Sequence, residues 1–340
     1  MADLLPDAET RVRGEITGGD RALISSLEGF EDLPLIGALQ LTDHGINKDD
    51  VVFAVTEGGE TSAVIGTALA AADQVGADTD RVWFVYNNPD DVLHPFERSR
   101  RVLDDPRIHK ISLPTGPQAI TGSTRMQAAT TSLYVLGLIL EDAVRALLLP
   151  HLETQDAARL GLSAEDTLDT RLRDFASIQR TVAATAPQLA GWTVAEANAY
   201  AQNRRVTYRA QAGLMQVFVD ITERSPTFRL PPLDRIDANP PQSWIRAQAL
   251  VQTPEEAWRA LLHRPFHGLS DPHYRAALAA IDDTALRQVA LRSLDNAGEE
   301  QQSLYDLSLS EPDTGLNALL LYTDEPLNTF QTQWLQQHAG

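Results

Sequence analysis

"DVVFAVTEGGETSAVIGTALAAADQ", residues 50–74, reads as a strand, a glycine turn and a helix in immediate succession. The apolar run at 51–55 stops at Thr56 and a glycine pair, which suits a short buried strand. From Thr61 onward the apolar and small residues recur at helical spacing instead. The same succession returns further along the chain. "RVWFVYNNPDD" (81–91) is a second apolar run ending in turn residues, and "IHKISLPTG" (108–116) is a third. The long helical pattern of "AITGSTRMQAATTSLYVLGLILEDAVRALLL" (119–149) follows it. Strands alternating with helices predict an α/β fold with a parallel sheet, in which ligands collect at the carboxyl ends of the strands. Each glycine or asparagine cluster falls at such an end.

Beyond 150 the pattern changes. Residues 151–204 read as helices throughout, with capping starts at Ser163 and Thr193. Strand character returns near 205 with "VTYRA" (206–210) and "MQVFVDITERSPTFRLPP" (215–232). Residues 245–297 again read as helical, and "SLYDLSLS" (303–310) and "GLNALLLYTDE" (315–325) read as two late strands. The expected organisation is an α/β domain over 1–150, a helical connector over 151–204 and a second α/β domain over 205–340, and 340 residues give room for it.

Composition narrows the chemistry. The formal net charge of −19, with Lys48 and Lys110 the only lysines, argues against nucleic acid as a partner, because that binding relies on Lys and Arg neutralising phosphates. The absence of cysteine excludes disulfides, thiolate nucleophiles and Cys-ligated zinc. The apolar run 133–140 stops at Glu141 and Asp142, far short of the roughly 20 residues that span a bilayer. No membrane partner is expected, and "MADLLPDAETRVRGE" (1–15) lacks the basic and apolar regions of a secretory signal, which predicts a cytoplasmic protein. His263, His267 and His273 cluster, but Pro265 and Gly268 break the helical spacing a metal motif would use, so no metal site is expected.

Carboxylates, hydroxyls and arginine remain. A helix N-terminus carries unpaired N–H groups and partial positive charge, which makes it a ready anion site. In "TGSTR", Gly122 lets the backbone approach a ligand, Thr121, Ser123 and Thr124 offer hydroxyls, and Arg125 offers a fork that grips phosphate. The competing reading is that Ser123 or Thr124 only caps the helix and Arg125 faces water. "TERSPTF" (222–228) is either a second ligand turn after a strand or a rigid Pro-fixed turn.

The stretch "GPQAITGSTRMQAATTSL" (116–133) resembles the glucokinase-regulator signature shared by bacterial N-acetylmuramic acid 6-phosphate etherases and the glucokinase regulatory protein, both built on sugar isomerase (SIS) domains. "EITGGDRALISSLEGFEDLPLIG" (15–37) is similar to the etherases' glycine pair and "EGAED"-like helix. "VVFAVTEGGETSAVIG" (51–66) is similar to their "SGRTP" strand and loop, and "YNNPDD" to their Asn-Pro strand end. The second half, through "DITERSPTFRLPP" and "PPQSWIRA…AWRALLHRP", looks closest to the two-domain regulatory-protein branch.

The resemblance implies a parallel-sheet αβα sandwich, a helical connector and a second, partial SIS-like domain. It also implies a phosphorylated sugar as ligand, with no cofactor. Carried over residue by residue, the ligand candidates are Glu57, Gly58, Gly59, Glu60, Thr61 and Ser62 in the first turn, Asn88 in the second, and Thr121, Gly122, Ser123, Thr124 and Arg125 in the third. Where the etherases carry Ser and Arg in "SGRTP", this chain has Gly58 and Glu60. The Glu before "TGS" and the Lys after the Arg are here Gln118 and Gln127. The strand with a "GTSGR"-like loop that precedes the glycine pair in the family has no counterpart in residues 1–11, which implies a gap beside a strand at 12–16, either from a truncated gene product or to be filled by a second copy or another protein. Of the family's two catalytic glutamates only the one matching Glu31 is found. The resemblance therefore implies sugar-phosphate binding without catalysis. The alternative is an etherase-like lyase or a sugar-phosphate isomerase with Glu31 as acid/base.

Overall fold

The computed structural model describes residues 11–76, 80–163, 166–211, 214–224, 228–310, 315–320 and 326–338. In the first half, α1 (Glu28–Glu31) and α2 (Pro34–Asp43) precede β1 (Val52–Val55), α3 (Ser62–Val75) and β2 (Val82–Tyr86). Then come α4 (Asp90–Leu93), α5 (Glu97–Leu103), β3 (His109–Ser112) and the long α6 (Gln127–Leu148). Helices α7 (Thr154–Arg159), α8 (Leu168–Ala184) and α9 (Ala186–Ala201) follow. The second half runs β4 (Val206–Ala210), α10 (Leu214–Arg224), β5 (Ile245–Ala249), α11 (Pro254–Leu262), α12 (Pro272–Ala279), α13 (Thr284–Leu294), β6 (Leu316–Leu320) and α14 (Thr329–His338).

The chain folds as α/β, with two small parallel sheets and many helices. One sheet has the order β1-β2-β3, with Val52 beside Val82 and Trp83 beside His109; the other has the order β5-β4-β6, with Val206 beside both Ile245 and Leu316. Both belong to one compact unit, Glu15–Ser132 with Arg204–Gly340, and Leu133–Asn203 fall in another. Among the described residues no helix is long and apolar enough to cross a membrane.

Three apolar clusters hold the larger unit. Beneath the first sheet, Ile65, Ala68, Ala72 and Val75 of α3 meet Phe84, Tyr86, Leu93 and Ile108. Around the second, Phe218, Ile221, Ile245, Trp258 and Tyr305 pack together. In the third, Phe30, Leu33 and Ile36 of the first half interlock with Tyr274, Leu278, Ala290 and Leu294 of the second. Helix α3 is set by a crossing with α2 that only glycine permits: a Cβ on Gly37 would lie 1.9 Å from the Ala63 oxygen, and one on Gly66 would lie 2.0 Å from the Pro34 oxygen.

Several elements differ from their reading in the sequence. Residues 12–16 form no strand, and Ile16 instead gives its carbonyl to the Gln40 side chain. "LMQVFVDITER" is helix α10 rather than a strand. Met215, Val217, Val219 and Ile221 alternate, but the residues that enter the core are Leu214, Phe218 and Ile221, spaced four and three apart. Residues 245–249, read as helical, form β5; its inward residues are Ile245, Ala247 and Ala249, and two alanines give little strand signal. Residues 305–310 are extended without being assigned as a strand, the Leu307 carbonyl accepting from Ala249 N–H and Leu309 N–H donating to Val251. Among the connector helices, Thr193 lies inside α9, and the capping box of α8 is built on Thr167 and Thr170 rather than Ser163.

Candidate functional site

The carboxyl ends of β1, β2 and β3 carry three loops, and polar side chains tie the loops to one another. After β1 the chain turns at Gly59, whose φ is +79° and where an added Cβ would lie 2.5 Å from a Leu93 methyl. Only glycine fits there. The Thr56 and Thr61 hydroxyls pair across this turn at 2.9 Å, and the Ser99 hydroxyl donates to the Gly59 carbonyl at 2.8 Å. Helix α3 starts at the buried Ser62 behind Thr61, and no side chain caps its N-terminus.

The second loop crosses to the first through Asn88, whose amide donates to the Gly58 carbonyl at 2.8 Å. Its neighbour Asn87, which the sequence reading passed over, does more. Buried at the end of β2, Asn87 donates its amide to the Leu113 carbonyl beyond β3 and accepts from the Ser132 hydroxyl in α6, both at 3.0 Å. The doubled asparagine at a strand end was the available signal, since a short amide can bridge adjacent strand ends.

The third loop reaches the first through Thr124, whose hydroxyl donates to the Glu57 carboxylate at 2.5 Å. Burial pushes the Glu57 carboxyl above the ordinary carboxylate range, and the Thr124 hydroxyl and the Arg125 charge oppose that without cancelling it. Ser123 is 1% exposed, and among the described residues its hydroxyl has no hydrogen-bond partner. Thr121 and Gly122 are exposed, and a Cβ on either Gly58 or Gly122 would meet nothing within 4 Å.

Helix α6 begins at Gln127, two residues beyond Arg125, so "TGSTR" forms the turns ahead of it. The two glutamines that depart from the family pattern close this loop. Gln118 accepts from Ala128 N–H at 3.2 Å, while Gln127 accepts from Ala119 N–H and donates to the Pro117 carbonyl, both at 3.0 Å. Glu60 is paired with Arg98 of α5 at 3.0 Å, so the charge it brings to the turn is offset by a cation from another helix.

Other candidates stand elsewhere. Glu31 is exposed at the end of α1, where Phe30 is fully buried and a Cβ on Gly29 would lie 2.6 Å from Ser293 and from Val289 of α13. Thr222 is buried inside α10, its hydroxyl donating to the Leu23 and Phe218 carbonyls, so the stretch leaves a helix and not a strand; residues 225–227 of "TERSPTF" lie outside the described residues. The three clustered histidines separate. His263 ends α11 in a left-handed conformation, His273 pairs with Asp43 and Asp271, and His267 faces Glu15. Burial raises the Glu15 carboxyl, but hydrogen bonds and charge from His267 and His44 outweigh it and bring it to about 2.

No family model matches the chain. Among curated proteins it is similar to N-acetylmuramic acid 6-phosphate etherases. It is 37% identical over 135 residues to that of Salinibacter ruber, covering 39% of each chain. With that of Thermosynechococcus vestitus it shares 33% over 189 residues, 55% of this chain and 56% of the relative. With that of a Synechocystis strain it shares 33% over 174 residues, 51% of this chain and 52% of the relative. The chain thus spans about half the length, or less, of the curated relatives it matches.

Proposed function

We propose that the loops after β1, β2 and β3 bind a phosphorylated sugar, and that the chain acts on it as an etherase-like lyase whose substrate is N-acetylmuramic acid 6-phosphate. The Ser123 hydroxyl, buried in the loop after β3 and without a hydrogen-bond partner among the described residues, carries the reading. A buried polar group is ordinarily satisfied, and a phosphate oxygen reaching this loop would satisfy this one. Thr121, Thr124 and Arg125 stand beside it in sequence, and the uncapped N-terminus of α3 behind Thr61 and Ser62 adds N–H donors. Gly58 and Gly122 leave the approach open. Burial raises the Glu57 carboxyl above its ordinary range, which weakens the repulsion it would offer a phosphate.

Eliminating lactate from the sugar needs a base for the proton on the carbon beside the breaking ether bond, and an acid to protonate the departing oxygen. Glu31 is assigned one of these roles through its resemblance to the etherase glutamate. The named relatives support turnover over passive binding. Binding without turnover, in the manner of the regulatory-protein branch, is the second reading, favoured by Glu60 standing where the etherase turn has Arg. Incubation with N-acetylmuramic acid 6-phosphate and an assay for lactate separates them. Release that falls at least about 100-fold in Glu31→Gln supports the lyase; binding with no release supports the second reading.

A second copy is the partner we propose for the helical unit. Leu133, Leu140 and Leu147 recur every seven residues on α6, each at least 43% exposed, and Leu168, Leu172, Ile178 and Val182 of α8 are exposed as well. Leu140→Asp is expected to shift a dimer to monomer in light scattering.

A further inference from the structure

Three side chains from distant parts of the sequence converge away from the loops just described. Glu15 precedes the Gly18-Gly19 pair, His44 follows α2, and His267 lies between α11 and α12. His44 Nε2 is 3.0 Å from one Glu15 oxygen and His267 Nδ1 is 3.4 Å from the other. One ligand atom from each residue falls within 4.8 Å of the other two, and among the described residues no other group of histidines and carboxylates does this. The imidazole rings are tilted by 50° with centroids 5.6 Å apart, so they converge on the carboxylate instead of stacking. We propose that Glu15, His44 and His267 form a binding site for a divalent zinc-class ion, with a fourth position left to water.

The chemistry and the support both fit. Zinc takes imidazole nitrogen and carboxylate oxygen at about 2.0–2.2 Å in a tetrahedron, which puts ligand atoms a little over 3 Å apart; the two nitrogen–oxygen separations here, each to a different Glu15 oxygen, are 3.0 and 3.4 Å. A set of two His and one carboxylate is a recognised three-ligand zinc arrangement with an open position. The side chains are sheltered without being sealed, at 23%, 17% and 33% exposed for Glu15, His44 and His267.

Two of the three ligands are held by backbone clamps. The Gln40 amide donates to the Ile16 carbonyl and accepts from Gly18 N–H, both at 3.0 Å, which fixes the chain beside Glu15. The buried Asp20 carboxylate accepts from His267 N–H at 2.7 Å, and Asp20 N–H returns a bond to the His267 carbonyl at 2.9 Å. Arg264 grips the same carboxylate through two nitrogens at 2.6 and 2.8 Å. Outer bonds of this kind set ligand orientation and tune metal affinity.

The test is equilibrium dialysis of the full chain against zinc chloride at fixed pH, read by elemental analysis. Wild type is compared with His267→Ala, with Glu15→Gln, which keeps the shape, and with His94→Ala at a histidine outside the cluster. The expected result is one zinc per chain, with affinity reduced at least about 100-fold in His267→Ala and Glu15→Gln and unchanged in His94→Ala. Cobalt(II) loading of wild type, which depends on no variant, should give the intense visible bands of a tetrahedral site. Zinc held equally by wild type and His267→Ala, or not retained by wild type at all, would overturn the site and leave an ion-paired cluster.

Discussion

The two parallel sheets have the same number of strands, ordered β1-β2-β3 in one and β5-β4-β6 in the other, and their carboxyl ends are used differently. After β1, the N-terminus of α3 has no side-chain cap, and the Thr61 hydroxyl turns to Thr56. After β5, the N-terminus of α11 is closed by a capping box in which Thr253 accepts from Glu256 N–H and Glu256 accepts from Thr253 N–H, both at 3.2 Å. The Leu250 carbonyl there is taken by Gln331 of α14. Parallel topology offers ligand positions at every strand end; whether one is kept depends on what the neighbouring side chains already satisfy.

The largest effect is expected where the first sheet's helix is positioned. Gly66→Ala drives a Cβ toward the Pro34 carbonyl and should cost about 3 kcal/mol in denaturant unfolding. Asn87→Ala leaves the Leu113 carbonyl and the Ser132 hydroxyl without their partner in a buried place, and about 2 kcal/mol should be lost. Thr253→Ala removes a cap, costs about 1 kcal/mol and leaves sugar-phosphate binding intact. Thr61→Ala removes no cap, so its effect should appear in binding first; equal effects of the two threonine variants on binding would break the comparison between the sheets.

The smallest effect has the opposite sign. Because burial raises the Glu57 carboxyl above its ordinary 4.5, the folded state binds its proton more tightly than the unfolded state. Stability from this group is complete below that ordinary value and is lost as pH rises through the folded value. Glu57→Gln should therefore melt higher than wild type at neutral pH, with the gap closing below about 4.5. A gap that does not change with pH would mean that the charge is not its cause.

The first sheet was legible because β1 and β2 are continuous apolar runs stopped by glycine and asparagine, while the more polar β3 is bounded by Pro106 and Pro114. The second was half hidden. In β5 two of the three inward positions are alanine, and α10 shows alternating apolar residues although its core face has helical spacing. The glycines in "PLIGALQ" and "SAVIGTA" gave no sign that they cross, since the pattern of one helix says nothing about which residue of another it meets. Within the candidate site, the Thr124 turn was named from its residue types and the turns of Glu57 and Asn88 through the family resemblance, whereas Asn87, Ser99 and Ser132 act through contacts across more than 25 residues. Glu15 and His44 were missed for the same reason, because their partner His267 is more than 200 residues away.

The central claim is that the loops of the first sheet hold a sugar phosphate, and it is tested most directly by thermal unfolding with and without N-acetylmuramic acid 6-phosphate. Wild type, Ser123→Ala and Arg125→Ala would be compared. A ligand at 100 times its dissociation constant stabilises the folded state by about 2.7 kcal/mol, which a melting curve resolves easily. The account predicts a rise in the melting temperature of wild type that is lost in Arg125→Ala and reduced in Ser123→Ala. An equal rise in all three proteins would contradict it, as would no rise in a wild-type chain that melts cooperatively.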